Sequence, residues 1–333
     1  MSEDRIIIAI ETSCDETAAA VLINGKVHSN VIYTQSEHSL HGGVIPEVAS
    51  RSHLKKISKI VKEALLKAEV NHSTISAVAY TKGPGLLGSL LVGSSYAKGL
   101  ALSLEAPLIS VNHIIGHIYA NFVDAPKPTF PFTAIVISGG HTMICEVIDW
   151  KDIKVVGQTQ DDAIGEAFDK CSKMLGLGYP GGPVIDKLAQ LGDADKYTFP
   201  ISKMPGYDFS FSGIKTSVRY FLQKNQKLSQ SFIEENINDL CASIQKSLFD
   251  NLFYKLDQYT RDKNVKQIAW GGGVSQNSYL RKKVLSMDSV QNYIPKLEYC
   301  IDNAAMIGVY ADYLYQNNFF ETLSASPDPS MNI

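Results

Sequence analysis

His113 and His117 stand four residues apart in the run Val111-Asn112-His113-Ile114-Ile115-Gly116-His117-Ile118-Tyr119-Ala120. On a helix that spacing stacks two imidazoles on one face, which is how a helix offers two nitrogens to one metal ion. Ile114, Ile115 and Ile118 mark the helix as largely buried. Burying a polar ring without a partner costs on the order of a few kcal/mol, so something must satisfy the pair, either a metal or nearby carbonyls. A third ligand is best sought in Cys300-Ile301-Asp302-Asn303-Ala304-Ala305-Met306. A lone Asp before a helix is ordinarily its N-cap, but if the last helix packs against the first half, Asp302 reaches the histidine helix. Two histidines and one carboxylate leave coordination positions open, which suits Fe(II) and also Zn(II).

Three glycine-rich turns offer a different chemistry. Ser138-Gly139-Gly140, the stretch around Gly181-Gly182 and Gly271-Gly272-Gly273 are each either a tight turn or a place where backbone N–H groups approach an anion. One adenylate-bearing ligand would account for all three. Asn277, just beyond the third, is placed to bond a base or ribose or to satisfy its own backbone. Asp169 and Asp186, near the second, hold ribose hydroxyls or are solvated.

The elements that must position these residues follow from apolar patterning. Residues 6–10 form a β-branched run, then a polar turn through Asp15 and Glu16, then a second apolar run over 18–23 that ends at the hairpin signal Asn24-Gly25. The pattern returns at 132–137, 138–142 and 143–148, so the chain reads as two similar halves. Strand, polar turn, strand opens many phosphate- and nucleotide-handling domains. Helices are expected over 47–68, 88–104, 161–175, 234–259, 276–284 and 303–315. The Gly/Pro run 176–183 is expected to be an extended turn, and residues 324–333 to lack order.

Composition sets outer limits. A chain of 333 residues is long for one core. Its net charge of −3 gives no global basic field for nucleic acid, so any RNA contact must be local. Five cysteines without a CxxC pair fit a reducing cytoplasm rather than a disulfide framework. The N-terminus has neither signal- nor transit-peptide character, and the apolar stretch 86–104 is too interrupted by Gly, Ser and Lys to span a bilayer.

The strings Ile10-Glu-Thr-Ser-Cys-Asp-Glu-Thr17, His41-Gly-Gly-Val-Ile-Pro-Glu-Val-Ala-Ser-Arg-Ser-His53, Gly83-Pro-Gly-Leu-Leu-Gly-Ser89, Asn112-His113 with His117, Ser138-Gly-Gly-His-Thr142, Asp208-Phe-Ser-Phe-Ser-Gly-Ile-Lys-Thr216, Gly271-Gly-Gly-Val274 with Asn277 and Asp302-Asn-Ala-Ala-Met-Ile307 together resemble one family. It is the universal tRNA threonylcarbamoyladenosine transferases, TsaD in bacteria and Kae1 or Qri7 elsewhere, and the match runs in order from about residue 6 to 315. Ile301 stands where that family usually has Thr and Ile214 where Leu is common, which puts only the surroundings of Asp302 in doubt.

The resemblance implies an actin/Hsp70/sugar-kinase (ASKHA) type of fold, two α/β halves around a central nucleotide cleft. It places the first half at 1–128 plus 305–323 and the second at 129–304, with a helical insertion at about 160–230. It implies a divalent metal, Fe(II) before Zn(II), on His113, His117 and Asp302. Val136, Ile137, Ser138, Gly139, Gly140, Asp169, Gly182, Asp186 and Asn277 would hold threonylcarbamoyl-AMP. Asp15 and Glu16 would lie at the acceptor side, with Asp15 as general base. The implied reaction is transfer of the threonylcarbamoyl group to N6 of the adenosine 3′ of a tRNA anticodon, with release of AMP. A small non-catalytic paralogue (TsaB-like), a P-loop ATPase (TsaE-like) and an upstream synthase are the implied partners. Lys55, Lys56, Arg51, Lys215, Arg219, Arg281, Lys282 and Lys283 are candidate tRNA phosphate contacts. Three rivals are weighed against this. A zincin helix would read HExxH, whereas Ile114, Ile115 and Gly116 separate these histidines. A small-molecule kinase would use Mg²⁺ bridging phosphates and not a histidine site. A non-catalytic scaffold would not need both histidines, Asp302 and Asp15.

Overall fold

A computed structural model describes residues 4–333. Its chain forms two compact units, one comprising Met1–Lys127 with Pro295–Ile333 and the other Pro128–Ile294. Residues 295–304, expected with the second half, therefore belong to the first, together with the histidines.

In the first unit β1 (Ile6–Glu11), β2 (Glu16–Ile23), β3 (Lys26–Thr34), β4 (Ala77–Gly83) and β5 (Leu108–Asn112) form a sheet of order β3-β2-β1-β4-β5. Every residue of β1 is buried, as a strand covered on both faces requires, hence its unbroken apolar run. The β2–β3 hairpin turns at Asn24 (φ 51) and Gly25 (φ 77), both left-handed as a two-residue type I′ turn demands. Helix α1 (Pro46–Lys67) opens with proline at its first turn and buries Ala49, His53, Ile57, Ile60, Val61 and Ala64. Helix α2 (Leu87–Leu104) packs on β4 and α1. The short helix α3 (His113–Tyr119) begins directly where β5 ends.

The second unit repeats the sheet. Its strands β6 (Phe132–Ile137), β7 (Thr142–Val147), β8 (Ile153–Gln158), β9 (Gln267–Gly271) and β10 (Gln291–Tyr293) run in the order β10-β9-β6-β7-β8. Two strand pairs are antiparallel and two parallel in each unit, in corresponding places. Its helices are α4 (Ile164–Met174), α5 (Gly181–Ala189), α6 (Ser212–Gln226), the single turn α7 (Phe232–Glu235), α8 (Ile237–Lys263) and α9 (Ser278–Leu285). The chain then returns to the first unit with α10 (Leu297–Cys300) and α11 (Ala304–Gln316). Two expectations change. The run 176–183 is not all turn, because α5 starts at Gly181 and takes Pro183 into its first turn, where proline's missing N–H costs nothing. Residues 324–333 are not unordered either, since Ala325, Asp328, Pro329 and Asn332 all accept or donate backbone hydrogen bonds.

His53 ties α1 to the start of β2. Its Nε2 lies 2.8 Å from the Cys14 carbonyl and must donate to it, which leaves Nδ1, 2.8 Å from Thr17 Oγ1, as the acceptor. Burial is the main influence on this ring and lowers its pKa from 6.5, against the bond to Cys14, which raises it. The unfolded chain therefore binds a proton that the folded chain refuses. Stability is complete above about pH 6.5 and falls as pH drops below it. Thermal unfolding between pH 7.5 and 5.5 is expected to show this loss, and His53→Gln to flatten that part of the curve. An unchanged slope in the variant would remove His53 as its source.

Candidate active site

Asn112 closes β5 and caps α3, its Oδ1 accepting from Ile114 N (2.8 Å) and Ile115 N (3.2 Å). The cap fixes the first turn of the helix, and with it His113. Gly116 lets α11 come close, since a Cβ there would sit 3.0 Å from Ile307 Cδ1. The N-cap of α11 is Asn303, whose side chain accepts from Met306 N at 3.0 Å, so Asp302 is not spent on capping. Its Oδ1 lies 3.5 Å from His113 Nε2 and 3.1 Å from His117 Nε2. One donor atom from each of the three residues lies within 4.8 Å of the others.

These residues suit a metal ion. His117 is fully buried, and among the described residues neither of its ring nitrogens has a hydrogen-bond partner. The 3.1 Å approach to Asp302 has the distance of an ion pair without the alignment of a hydrogen bond. Buried polar atoms are rarely left so, and a cation at the shared side of the two imidazoles would satisfy Nε2.

Glu11 was not among the residues singled out from sequence. It ends the apolar strand β1 and is fully buried. Its carboxylate accepts from Ser13 N (2.5 Å) and Thr81 Oγ1 (2.5 Å) and faces His113 Nδ1 at 3.2 Å. Burial works against its charge, but the His113 ring beside it outweighs that and holds its pKa below the usual carboxylate value. For His113, burial lowers the pKa while Asp302 and Glu11 raise it, to about 9. Burial keeps His117 low and neutral. A carboxylate behind one ring nitrogen turns the other toward the ligand position, the usual way a metal-binding histidine is oriented. The only sequence signal was a charge at the end of a run of isoleucines.

The acidic turn between β1 and β2 is held by its backbone. Cys14 O accepts from His53, Ser13 O accepts from Leu86 N at 2.8 Å, and Gln35 N donates to Asp15 O at 3.2 Å. This places Asp15 and Glu16 next to each other at the start of β2. Burial, then the charges of Asp302 and Asp15, push the Glu16 carboxyl well above the ordinary range.

In the second unit the β6–β7 turn occupies the position of that acidic turn. Ser138 N donates to His141 O (2.8 Å) and His141 N to Ser138 Oγ (3.1 Å), which pins the turn around Gly139 and Gly140. A side chain at Gly139, Gly140, Gly182 or Gly273 would meet nothing within 4 Å. These glycines leave backbone open to a ligand. Gly165, Gly181 and Gly272, by contrast, are forced by packing, with backbone 2.3–2.9 Å from where a Cβ would lie. Val136 and Ile137 are buried in β6 and support the turn from behind. Asp169 accepts from Gly181 N at 2.7 Å and so anchors the start of α5. Asp186 holds Ser278 N (3.0 Å) and Oγ (2.7 Å), and Asn277 caps α9 through Tyr279 N and Leu280 N while donating to Gln245 Oε1 at 2.7 Å. All three thus have structural work, which fixes the glycine backbones where they are.

No helix among the described residues is long and apolar enough to cross a membrane. A family model described as tRNA N6-adenosine threonylcarbamoyltransferase (TsaD) matches residues 26–309. Proteins of that name from Christiangramia forsetii and Riemerella anatipestifer are each 49% identical to this chain, over 98% and 97% of both chains respectively. Among solved structures, full-length HypF in its phosphate- and nucleotide-bound form superposes with a TM-score of 0.61 at 14% identity, over 96% of this chain and 57% of its own. The doubled five-stranded architecture is of the actin/Hsp70/sugar-kinase type.

Proposed function

Since the chain belongs to the tRNA N6-adenosine threonylcarbamoyltransferase family, we propose that it moves the threonylcarbamoyl group of threonylcarbamoyl-AMP to N6 of the adenosine 3′ of a tRNA anticodon, releasing AMP. The observation that carries this is relatedness at 49% identity along 98% of the chain, over which the His113–His117–Asp302 cluster lies.

The exocyclic amine of adenine is a weak nucleophile and must lose a proton as it attacks the carbamoyl carbon. Asp15 is the base, and Glu16 follows it in the chain at the start of β2. The open glycine backbones of the second unit, Gly139, Gly140, Gly182 and Gly273, receive the adenylate, whose phosphate leaves with AMP. A divalent metal on His113, His117 and Asp302 supplies Lewis acidity and a template for the threonylcarbamoyl group. Two nitrogens and one oxygen with open positions favour Fe(II), with Zn(II) as the alternative. Peptide hydrolysis is disfavoured, because Glu11, the carboxylate on the Nδ1 side of His113, is engaged by Ser13, Thr81 and His113 itself.

The tRNA needs a local electropositive surface, and α6 offers one. Its 15 residues include Lys215, Arg219 and Lys224 but no acid, and Lys227 follows. Lys215 is paired with Asp162 at 2.7 Å. Arg219, Lys224 and Lys227 are exposed and make no ion pair among the described residues. Tyr220 between them is 67% exposed, an aromatic face of the kind that stacks on unpaired bases. Arg219→Glu with Lys224→Glu is expected to weaken tRNA binding and to flatten the plot of log affinity against log salt by about one per lost phosphate contact. Fluorescence anisotropy over a salt series measures both, and an unchanged slope would clear α6 of the role. A cytoplasmic setting, a small non-catalytic paralogue and a P-loop ATPase complete the proposal. Its test is mass spectrometry of tRNA incubated with threonylcarbamoyl-AMP, those partners and this protein. No mass gain on the anticodon-adjacent adenosine would refute it.

A further inference from the structure

Residues 321–332 cross the ends of β4 and β5 and are bonded along their length. Glu321 N donates to Leu108 O at 2.7 Å, a bridge on the free edge of β5. Its carboxylate accepts from Lys82 Nζ (2.7 Å) and Ser110 Oγ (3.0 Å). Lys98 Nζ bonds the Ala325 carbonyl. Asp328 N donates to Lys82 O (2.9 Å), Gly85 N to Pro329 O (3.2 Å) and Asn112 Nδ2 to Asn332 O (3.1 Å). Gly83 is shaped to this path, since a Cβ there would lie 1.8 Å from Asp328 O.

We propose that residues 321–332 are a positioning strap for the two reactive parts of the first unit, the histidine helix and the acidic turn. One arm acts through Asn112. A side-chain amide is planar, so a bond that fixes Nδ2 also fixes the direction of Oδ1. Asn332 O holds Nδ2, and Oδ1 is the acceptor that caps Ile114 N and Ile115 N. In a helix of seven residues the capped turn is half the element, and His113 is its first residue. The second arm acts through the loop after β4. Pro329 O holds Gly85 N, and the next residue, Leu86, donates to Ser13 O at 2.8 Å, two residues before Asp15. Gly85 has φ +158 and lies against Ser13, where a Cβ would be 2.6 Å from the Ser13 carbonyl. None of the strap residues touches the reacting atoms. They fix the residues that do.

The consequence for metal binding rests on the metal reading above, so the test has two independent arms. Three variants serve: removal of residues 331–333, removal of residues 323–333, and Asn112→Asp. The last keeps a capping oxygen but loses the amide donor to Asn332. Hydrogen exchange is expected to rise in segments 83–86 and 113–117 while the amides of β1 stay protected. Affinity for Zn(II), read by competition with a chromogenic chelator, is expected to fall roughly 10- to 100-fold, the range for groups that orient metal ligands. Asn112→Asp placed in the 331–333 deletion is expected to add little, because both remove the same bond. If the longer truncation does not fold, the three-residue deletion and Asn112→Asp carry the test. Unchanged exchange in both segments would overturn the strap, and so would a drop in melting temperature with unchanged zinc affinity. A full-length protein that binds no zinc or iron would sink the metal reading, while the exchange arm would still decide the strap.

Discussion

Asp302→Ala is expected to strip the protein of its metal and to slow threonylcarbamoyl transfer by roughly 10²- to 10³-fold. Lewis-acid assistance contributes several kcal/mol, and each 1.36 kcal/mol is about tenfold in rate. The fold should survive, because the cap of α11 is Asn303 and not Asp302. The substitution also removes the carboxylate 3.5 Å from His113 Nε2 and with it much of the force that raises that ring's pKa to about 9. This gives a signature of its own. In the unaltered protein a metal must displace the His113 proton, so affinity is expected to climb as pH rises toward about 9. In the variant the residual affinity should level off at lower pH. Metal content by atomic emission and competition titrations across pH measure these effects, and the tRNA mass gain gives the rate. A variant with full metal content and undiminished transfer would take Asp302 out of the centre.

The second large effect is expected at Asp15. Asp15→Asn should lower transfer by roughly 10²- to 10⁴-fold, the usual worth of a general base, with metal content and melting temperature unchanged. Asparagine fits the same turn, since the turn's bonds run through the backbone of Ser13, Cys14 and Asp15. Glu16→Gln should cost far less, because burial and the charges of Asp302 and Asp15 already push the Glu16 carboxyl toward its protonated form, which an uncharged amide resembles. If Glu16→Gln proves the more damaging of the two under single-turnover conditions, the base is Glu16.

Much of this was legible in the amino-acid sequence, and what was not has physical reasons. The two strand–turn–strand openings could be read because central strands must be apolar and the short polar runs between them, Thr12 to Asp15 and Ser138 to His141, interrupt them. The histidine helix could be read from spacing alone. Glu11 could not, because nothing local tells a strand-ending carboxylate in water from one sealed against His113. Strands β8 and β10 were passed over, the first because it is a half-exposed edge with weak alternation and the second because it is only three residues long. Helix α5 was hidden by Gly181, Gly182 and Pro183, residues that forbid a helix interior but not a helix start. The end of the chain misled for a related reason. Residues 324–333 are rich in Ser and Pro, and their order comes from bonds to β4, α2 and Asn112 that no composition reveals.

The identical strand order of the two sheets carries a historical meaning. Two units that share an order and the same pattern of parallel and antiparallel pairs are most simply copies of one ancestral domain, joined by duplication. Their first turns then record how the copies parted. In one copy the turn became Thr12-Ser13-Cys14-Asp15-Glu16, gathering carboxylates, and in the other Ser138-Gly139-Gly140-His141, shedding side chains. A single inherited loop was thus turned to opposite electrostatic ends, negative charge in one copy and bare amide dipoles in the other. Reactions that pair a proton acceptor with a departing phosphate need both. An enzyme of this class could arise by letting two copies of one part diverge, with no new part invented.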